Sequence, residues 1–485
     1  MFPTDKTKRP ERILQFGEGN FLRAFVDWIV QSMNDKTDFD GSVVVVQPIA
    51  QGMVDLLNQQ DSRYTLYLQG IRQGQVVSEH QVIDSISRGL NPYTQWDAFL
   101  QTAEQPEMRF MVSNTTEAGI ATDANDWSDQ TPPTTFPAKL TCWLQRRYQT
   151  FGGAADKGII FLPCELINYN GDKLKTAMLY YVDLWGLDEG FKAWIEAHCT
   201  FCNTLVDRIV PGFPRDRIQE IHEELGYKDQ LVVEGEQFHL WVIEAPESVQ
   251  NEFPADRAGL NVKFVRDMQP YRTRKVRILN GAHTTMVPVA YLYGLRTVRE
   301  SVEHDVVGSY IHQAIFEEII PTLDLPREEL EEFANDVLER FRNPYIQHYL
   351  ISIALNSTSK FETRVLPSLL TYQEQTGKLP QRLVFALAAL IRFYKGDVDG
   401  ESIDLKDDQD TLDLFGEIWK GWDGTDAGLR QLVEIVLGYE KIWKQNLNEV
   451  PGLTDAVAGY VKAIDEKGMK SALEEAAFAE VNSGS

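Results

Sequence analysis

In the segment KVRILNGAHTTMVPVAYLYG, Lys275, Asn280 and His283 stand at positions i, i+5 and i+8. On an α-helix, at about 100° per residue, they project within an arc of roughly 140°, so one side presents an amine, an amide and an imidazole together. Such a trio performs proton chemistry. A lysine whose pKa is lowered by burial acts as acid or base near neutrality, an amide donates to a developing alkoxide, and an imidazole orients a hydroxyl. Each residue alone has a plainer reading: Lys275 as a solvated helix residue, His283 as a satisfied core histidine, and Asn280-Gly281 as a helix break.

A second group of residues points to a nucleotide. ILQFGEGNFLRAF places Gly17 and Gly19 between an apolar strand and an amphipathic helix, where glycines let the backbone approach a pyrophosphate. The third glycine of a GxGxxG pattern falls at Leu22, so the motif is incomplete, and Arg23 is available near the phosphates. The next strand ends in Gln47, with no Lys or Arg through Asp55. An amide can bond a ribose hydroxyl but nothing there neutralises a 2′-phosphate, so NAD is expected rather than NADP. Otherwise Gln47 is a turn residue before Pro48. Cys199 and Cys202 form a CxxC without a second pair or paired histidines, and no metal is expected.

The elements that must position these residues fall into two kinds. Ile13–Phe16, Val43–Val46, Phe110–Ser113 and Ile159–Leu162 read as strands, with a helix over Phe21–Met33, giving at least four βα units and a parallel sheet. From Tyr271 the pattern becomes helical: Arg274–Tyr291, Val302–Leu323, Arg327–Phe341, Leu383–Tyr394 and Leu429–Lys444. The expectation is an α/β domain over residues 1–255 and a mostly α-helical domain over 256–485, with periodicity interrupted between Asn251 and Pro270. Lys395–Asp410 reads as a surface loop, and Asp465–Glu480 as a solvated helix before a frayed Ser-Gly-Ser end.

Composition narrows the function. Across 485 residues, 47 basic and 72 acidic side chains leave a net charge of −25, which excludes nucleic acid and anionic membrane as partners. With 43% hydrophobic and 25% charged residues the chain is an ordinary globular protein. The N-terminus lacks a signal-peptide core, the apolar run Leu383–Ile391 is about half a membrane span, and four cysteines fit a reducing compartment, so a cytoplasmic location is expected.

The spacing Lys-x4-Asn-x2-His at 275–283, preceded by Pro270-Tyr271, resembles the signature of the polyol-specific long-chain dehydrogenases, the mannitol dehydrogenase family. GEGNFLRAF at 17–25, SNTTEAGI at 113–120, PCELINYNG at 163–171, TLVDRIVPGFP at 204–214 and RFRNPYIQHYLISIALNSTSKFETRVLP at 340–367 agree, in order, over nearly the full chain. The resemblance implies a Rossmann-type N-terminal domain, a helical C-terminal domain, a cleft between them, and metal-independent hydride transfer between C4 of NADH and a ketone. By position, Lys275 is then the general acid/base, Asn280 polarises the carbonyl, and His283 contacts substrate hydroxyls. The NAD turn comprises Ile13, Leu14, Gln15, Phe16, Gly17, Glu18, Gly19, Asn20, Phe21, Leu22, Arg23 and Ala24, with Asn114, Thr115, Thr116 and Glu117 lining the nicotinamide side. Many members have Asp-Asn after the cysteine at 164, where this chain has Glu165-Leu166. Either Asn168 substitutes for the second amide, or Asn280 acts with Lys275 alone.

Within the family the motifs are most similar to the branch acting on sugar acids, so a small-molecule sugar-acid substrate is expected, its carboxylate held by Lys360 and Arg364 in SKFETR. The alternative is that these two form a surface pair with Glu362. The resemblance implies a monomer, with a dimer left open. A reading from another class is a non-catalytic NADH sensor, which needs the turn at Gly17–Gly19 but not an acid/base trio.

Overall fold

The computed structural model of the chain describes residues 1–116 and 118–477. Glu117 and residues 478–485 lie outside them. The chain divides into two compact units, one of Met1–Gly70 with Gln75–Met268, the other of Ile71–Gly74 with the chain from Gln269 onward.

The first unit is built on twelve strands: β1 (Glu11–Phe16), β2 (Ser42–Val46), β3 (Tyr64–Arg72), β4 (Gln75–Ile83), β5 (Ile86–Leu90), β6 (Phe110–Ser113), β7 (Ile160–Pro163), β8 (Thr200–Phe201), β9 (Asn203–Asp207), β10 (Val233–Glu236), β11 (Leu240–Glu244) and β12 (Val262–Val265). Six of them form a sheet in the order β5-β2-β1-β6-β7-β8, with every pairing parallel. Numbered among themselves along the chain, these six follow 3-2-1-4-5-6, the doubly wound order whose reversal lies between β1 and β6. Side chains alternate between two cores. Ile13, Val43, Val45, Phe110 and Val112 enter one, and Leu14, Phe16, Val44, Val46 and Met111 the other. Burial on both faces explains why these strands are unbroken apolar runs.

The helix expected over Phe21–Met33 is two helices, Asn20–Ala24 and Val26–Lys36, broken at Phe25 (φ −128°, ψ −81°). The carbonyls at the break are claimed by distant side chains: the Tyr64 hydroxyl donates to Arg23 O (2.5 Å), and Arg208 Nη1 to Ala24 O (2.7 Å). Two further sheets, β10-β3-β4 and β12-β11-β9, complete the unit. The first unit extends to Met268 because β12 pairs in parallel with β11.

In the second unit the helix Arg327–Phe341 has the expected bounds. The stretch expected as one helix over Val302–Leu323 is instead Val298–Glu303 and Asp305–Gln313, then a π-helical turn over Ala314–Ile319 and a 3-10 turn over Ile320–Thr322. The first break falls at His304, whose Nδ1 accepts the backbone N–H groups of Val306 and Val307 and so starts a new helix. The expected Leu429–Lys444 helix likewise divides into Asp426–Leu437 and Glu440–Trp443. The helix Gln381–Phe393 is buried along nearly its whole length and packs against Gly281–Tyr293 and Leu453–Lys467. The expected loop at 395–410 carries a small hairpin, Asp397–Val398 with Glu401–Ser402. The C-terminal expectation of a solvated helix is corrected: Met469, Ala472 and Leu473 are buried, so the helix Met469–Ala477 is packed. Among the described residues no helix is long and apolar enough to cross a membrane, and no group of three His, Cys, Asp or Glu could hold a metal ion.

Candidate active site

At the reversal point of the first unit, Gly17 leaves β1 with φ +125°, a left-handed region that favours glycine. A Cβ there would lie 3.1 Å from both Asn114 O and Leu22 Cδ1, so a side chain would also have to push its neighbours aside. Gly19 is exposed, with nothing within 4 Å of where a Cβ would stand. The tightness at Gly17 and the open space above Gly19 make a cradle that a pyrophosphate could approach. Around it, Ile13, Leu14, Phe16, Leu22 and Ala24 are core residues that hold the turn from behind, while Asn20 and Phe21 are partly open.

Two polar residues of this region have their partners inside the protein. Arg23 is buried, and its guanidinium donates to Glu18 O (3.0 Å), Leu231 O (2.6 Å) and Asn20 Oδ1 (2.8 Å) while lying over the Tyr64 ring. It knits the turn together, in place of the phosphate contact expected from sequence. Gln47 Nε2 donates to Ile49 O and Ala50 O (both 2.9 Å), and its Oε1 accepts from Val54 N (3.4 Å), closing the loop after β2. The geometry is that of the turn-residue alternative. Glu18 sits beside this loop, accepting from Met53 N (3.2 Å), its carboxyl pushed up by burial.

Past the end of β6, Asn114 N donates to Phe16 O (3.0 Å), which binds the second loop to the glycine turn. Glu165, which the sequence marked only as a departure from the family pattern, fastens that loop. It is buried; its Oε2 accepts from Ser113 Oγ (3.0 Å), and its Oε1 from Thr115 N (3.2 Å) and Thr115 Oγ1 (3.1 Å). Desolvation raises its carboxyl above the usual carboxylate range. Thr116 follows with φ +74°, exposed. Leu166 is 57% exposed and Asn168 half-buried, while Asn170 is buried and donates to Pro163 O, Glu165 O and Thr204 O.

In the second unit, Lys275–Asn280 is a single π-helical turn between the helices Gln269–Arg274 and Gly281–Tyr293. Hydrogen bonding runs i→i+5 there, so Lys275 and Asn280 are stacked one turn apart, closer in projection than an α-helix allows. The α-helical arc of the sequence reading is corrected accordingly. Gly281 abuts the helix Ser357–Arg364: its Cβ would lie 3.2 Å from Arg364 O. His283 is buried, stacked on Phe341 (4.4 Å between centroids, 19°) and met edge-on by His348 (5.1 Å, 84°). Its Nε2 has no hydrogen-bond partner among the described residues. Burial first, and then the charges of His348, Arg364, Arg340 and Lys360, hold its pKa well below the ordinary value, so the ring is neutral. A buried ring nitrogen without a partner costs free energy unless a ligand supplies one.

Lys360 Nζ donates to Ile353 O (2.7 Å), and Arg364 forms no ion pair or side-chain hydrogen bond among the described residues. Neither pairs with Glu362 there, so the surface-pair alternative does not hold. Burial lowers both pKa values, and Arg364 lowers that of Lys360 further. His348 was not singled out in the sequence, although it lies in the quoted 340–367 stretch; only its contact with His283 marks it.

The fold and these two groups of residues define a dehydrogenase built on a Rossmann-type unit and a helical unit. Residues 11–257 match the mannitol dehydrogenase Rossmann domain and residues 267–465 the mannitol dehydrogenase C-terminal domain, and the chain belongs to the mannitol dehydrogenase family. It is 57% identical to the altronate oxidoreductase of Phocaeicola vulgatus over 96% of each chain, and 53% identical to that of Bacillus subtilis over 97% of this chain and 96% of the relative. Among solved structures it resembles D-sorbitol dehydrogenase in substrate-free form (TM-score 0.81, 23% identity, 97% of this chain and 96% of the other). It also resembles Pseudomonas fluorescens mannitol 2-dehydrogenase in a ternary complex with NAD and D-mannitol (TM-score 0.65, 24% identity, 96% and 94%). The family and the fold class expected from the sequence are borne out.

Proposed function

We propose that the chain is an NAD-dependent reductase interconverting D-tagaturonate and D-altronate. The observation that carries this reading is the presence, within one helical unit, of a neutral His283 and a half-buried Arg364 whose Nε2 and guanidinium fork have no hydrogen-bond partner among the described residues. One suits a substrate hydroxyl and the other a carboxylate. The relatives named altronate oxidoreductase, similar over nearly their whole length, support the sugar-acid assignment.

The residues of the first unit suit a dinucleotide: Gly17 to Phe21 would hold the pyrophosphate, and Asn114 to Thr116 the nicotinamide side. When bound, the nicotinamide supplies or accepts the hydride at C4. Lys275 Nζ gives its proton to the carbonyl oxygen during reduction and removes the hydroxyl proton during oxidation. Asn280 Nδ2 donates to the same oxygen as charge develops there. His283 Nε2 orients a neighbouring hydroxyl, while Lys360 and Arg364 hold the carboxylate.

NADH consumption with tagaturonate, fructuronate and fructose, and NAD reduction with mannitol, tests the reading. Turnover fastest with tagaturonate is expected. Fastest turnover with fructuronate or with fructose and mannitol moves the activity to a fructuronate reductase or a mannitol 2-dehydrogenase. NADH binding without turnover on any of them makes the protein a sensor.

A further inference from the structure

Beneath the glycine turn lies a carboxyl that the proposed chemistry does not use. Asp27, on the helix Val26–Lys36, is fully buried, as is Gln15 in β1. Gln15 Nε2 donates to Asp27 Oδ2 and to Gly17 O, both at 3.0 Å, which fixes the orientation of the amide: flipped, it would set an oxygen against two oxygens. The other two atoms of the pair, Asp27 Oδ1 and Gln15 Oε1, are shut away from solvent with no hydrogen-bond partner among the described residues.

Two bare acceptors belonging to groups already joined at their other ends are a costly arrangement if the carboxyl is ionised. A proton on Oδ1 converts one of them into a donor, and the second hydrogen bond can form to Gln15 Oε1. The surroundings favour the neutral form. Among the described residues Asp27 has no ion pair. The buried Arg23 has its donors on Glu18 O, Asn20 Oδ1 and Leu231 O, and the Tyr64 hydroxyl is given to Arg23 O. Glu18 and Asp229 share the field of Arg23, and Ser85 Oγ reaches only the backbone oxygen of Asp27 (2.7 Å). Burial pushes the Asp27 carboxyl up to about 7.

We propose that Asp27 is a positioning residue held as a neutral carboxylic acid in a reciprocal pair with the Gln15 amide, and that this pair fixes the Gly17 carbonyl and with it the turn on which the dinucleotide rests. The part concerning the nucleotide rests on the reading of the Gly17 turn given above. The acid pair itself does not.

Asp27→Asn reproduces the protonated acid with a permanent donor, whereas Asp27→Leu cannot bond Gln15 at all. The infrared spectrum of the ligand-free protein at about pH 6 is expected to show a protonated-carboxyl band that disappears in D27N. In fluorescence titrations with NADH, the wild-type dissociation constant is expected to rise several-fold from about pH 6 to about pH 9. D27N is expected to stay within about twofold of the pH 6 wild-type value throughout, and D27L to bind about tenfold more weakly than wild type at pH 6. Absence of the band difference overturns the neutral acid. D27N binding about tenfold more weakly at pH 6, or keeping the wild-type pH dependence, overturns the positioning role. Wild-type protein that binds no NADH while the band difference is present overturns the cofactor reading and the positioning role, and leaves the acid pair standing.

Discussion

At the scale of single residues, the proposed chemistry separates into steps that substitutions can remove one at a time. Lys275→Ala takes away the proton donor and leaves the glycine turn intact. A fall in kcat of about 10²- to 10⁴-fold is expected, with NADH affinity by fluorescence unchanged. Unchanged turnover removes Lys275 from the acid/base role. Arg364→Ala should act on binding instead. A charge-assisted hydrogen bond contributes about 1.5–3 kcal/mol, so the KM for the sugar acid should rise roughly ten- to a hundredfold, with less effect on a neutral ketose. Equal KM values for variant and wild type remove the carboxylate contact. Identity and position of these residues could be read from the chain, but their partners could not. Arg23 was expected near the phosphates, yet its guanidinium is engaged inside the protein, with a bond to Leu231 O that spans 208 residues of sequence. The lost amide falls at Leu166, and Glu165 beside it, marked only as part of that departure, proved to be the fastening of Ser113 and Thr115.

At the scale of elements, close approach sets the tolerances. A methyl group at Gly281 would press on Arg364 O at 3.2 Å, so Gly281→Ala should shift the helix that carries Lys360 and Arg364. Overpacking of this kind costs about 1–3 kcal/mol, measurable as a lowered melting temperature together with a raised KM for the sugar acid. The helix Val26–Lys36 carries a pH-dependent term through Asp27. Because its carboxyl is raised on folding, from 3.8 to about 7, the stability it contributes is present in acid and is lost as pH climbs through about 7. D27N should therefore melt above wild type at about pH 8, with the gap closing towards about pH 4, as differential scanning fluorimetry would show. Strands buried on both faces were legible because they leave continuous runs such as Val43–Val46. Exposed β4, reading QVVSEHQVI, left no comparable run, whereas β11, reading LWVIE, was missed although Leu240, Trp241, Val242 and Ile243 are buried in succession. The helix breaks at Phe25 and His304 were hidden because apolar periodicity continues across them, the first held by Tyr64 and Arg208 from elsewhere in the fold and the second by the His304 ring itself, a residue type not read as a cap.

At the scale of the whole molecule, the chain divides into two compact units, so unfolding is not expected to be a single two-state event. Calorimetry should give a total enthalpy larger than the van't Hoff value. NADH at about a hundredfold over its dissociation constant should stabilise the transition of the sheet-containing unit by about 2.7 kcal/mol and leave the other in place. A uniform upward shift of all the heat absorption would contradict this. The π-helical turn at Lys275–Asn280 also bears on how the chain can change in length. Deleting one residue inside it would leave an ordinary α-helix with nearly the same register on either side, because the i→i+5 turn and the i→i+4 turn that replaces it close about the same revolution, and His283 would stay against Phe341 and His348. The α-helical turns of Gly281–Tyr293 have no such slack, and there a one-residue insertion or deletion rotates everything beyond it by about 100°.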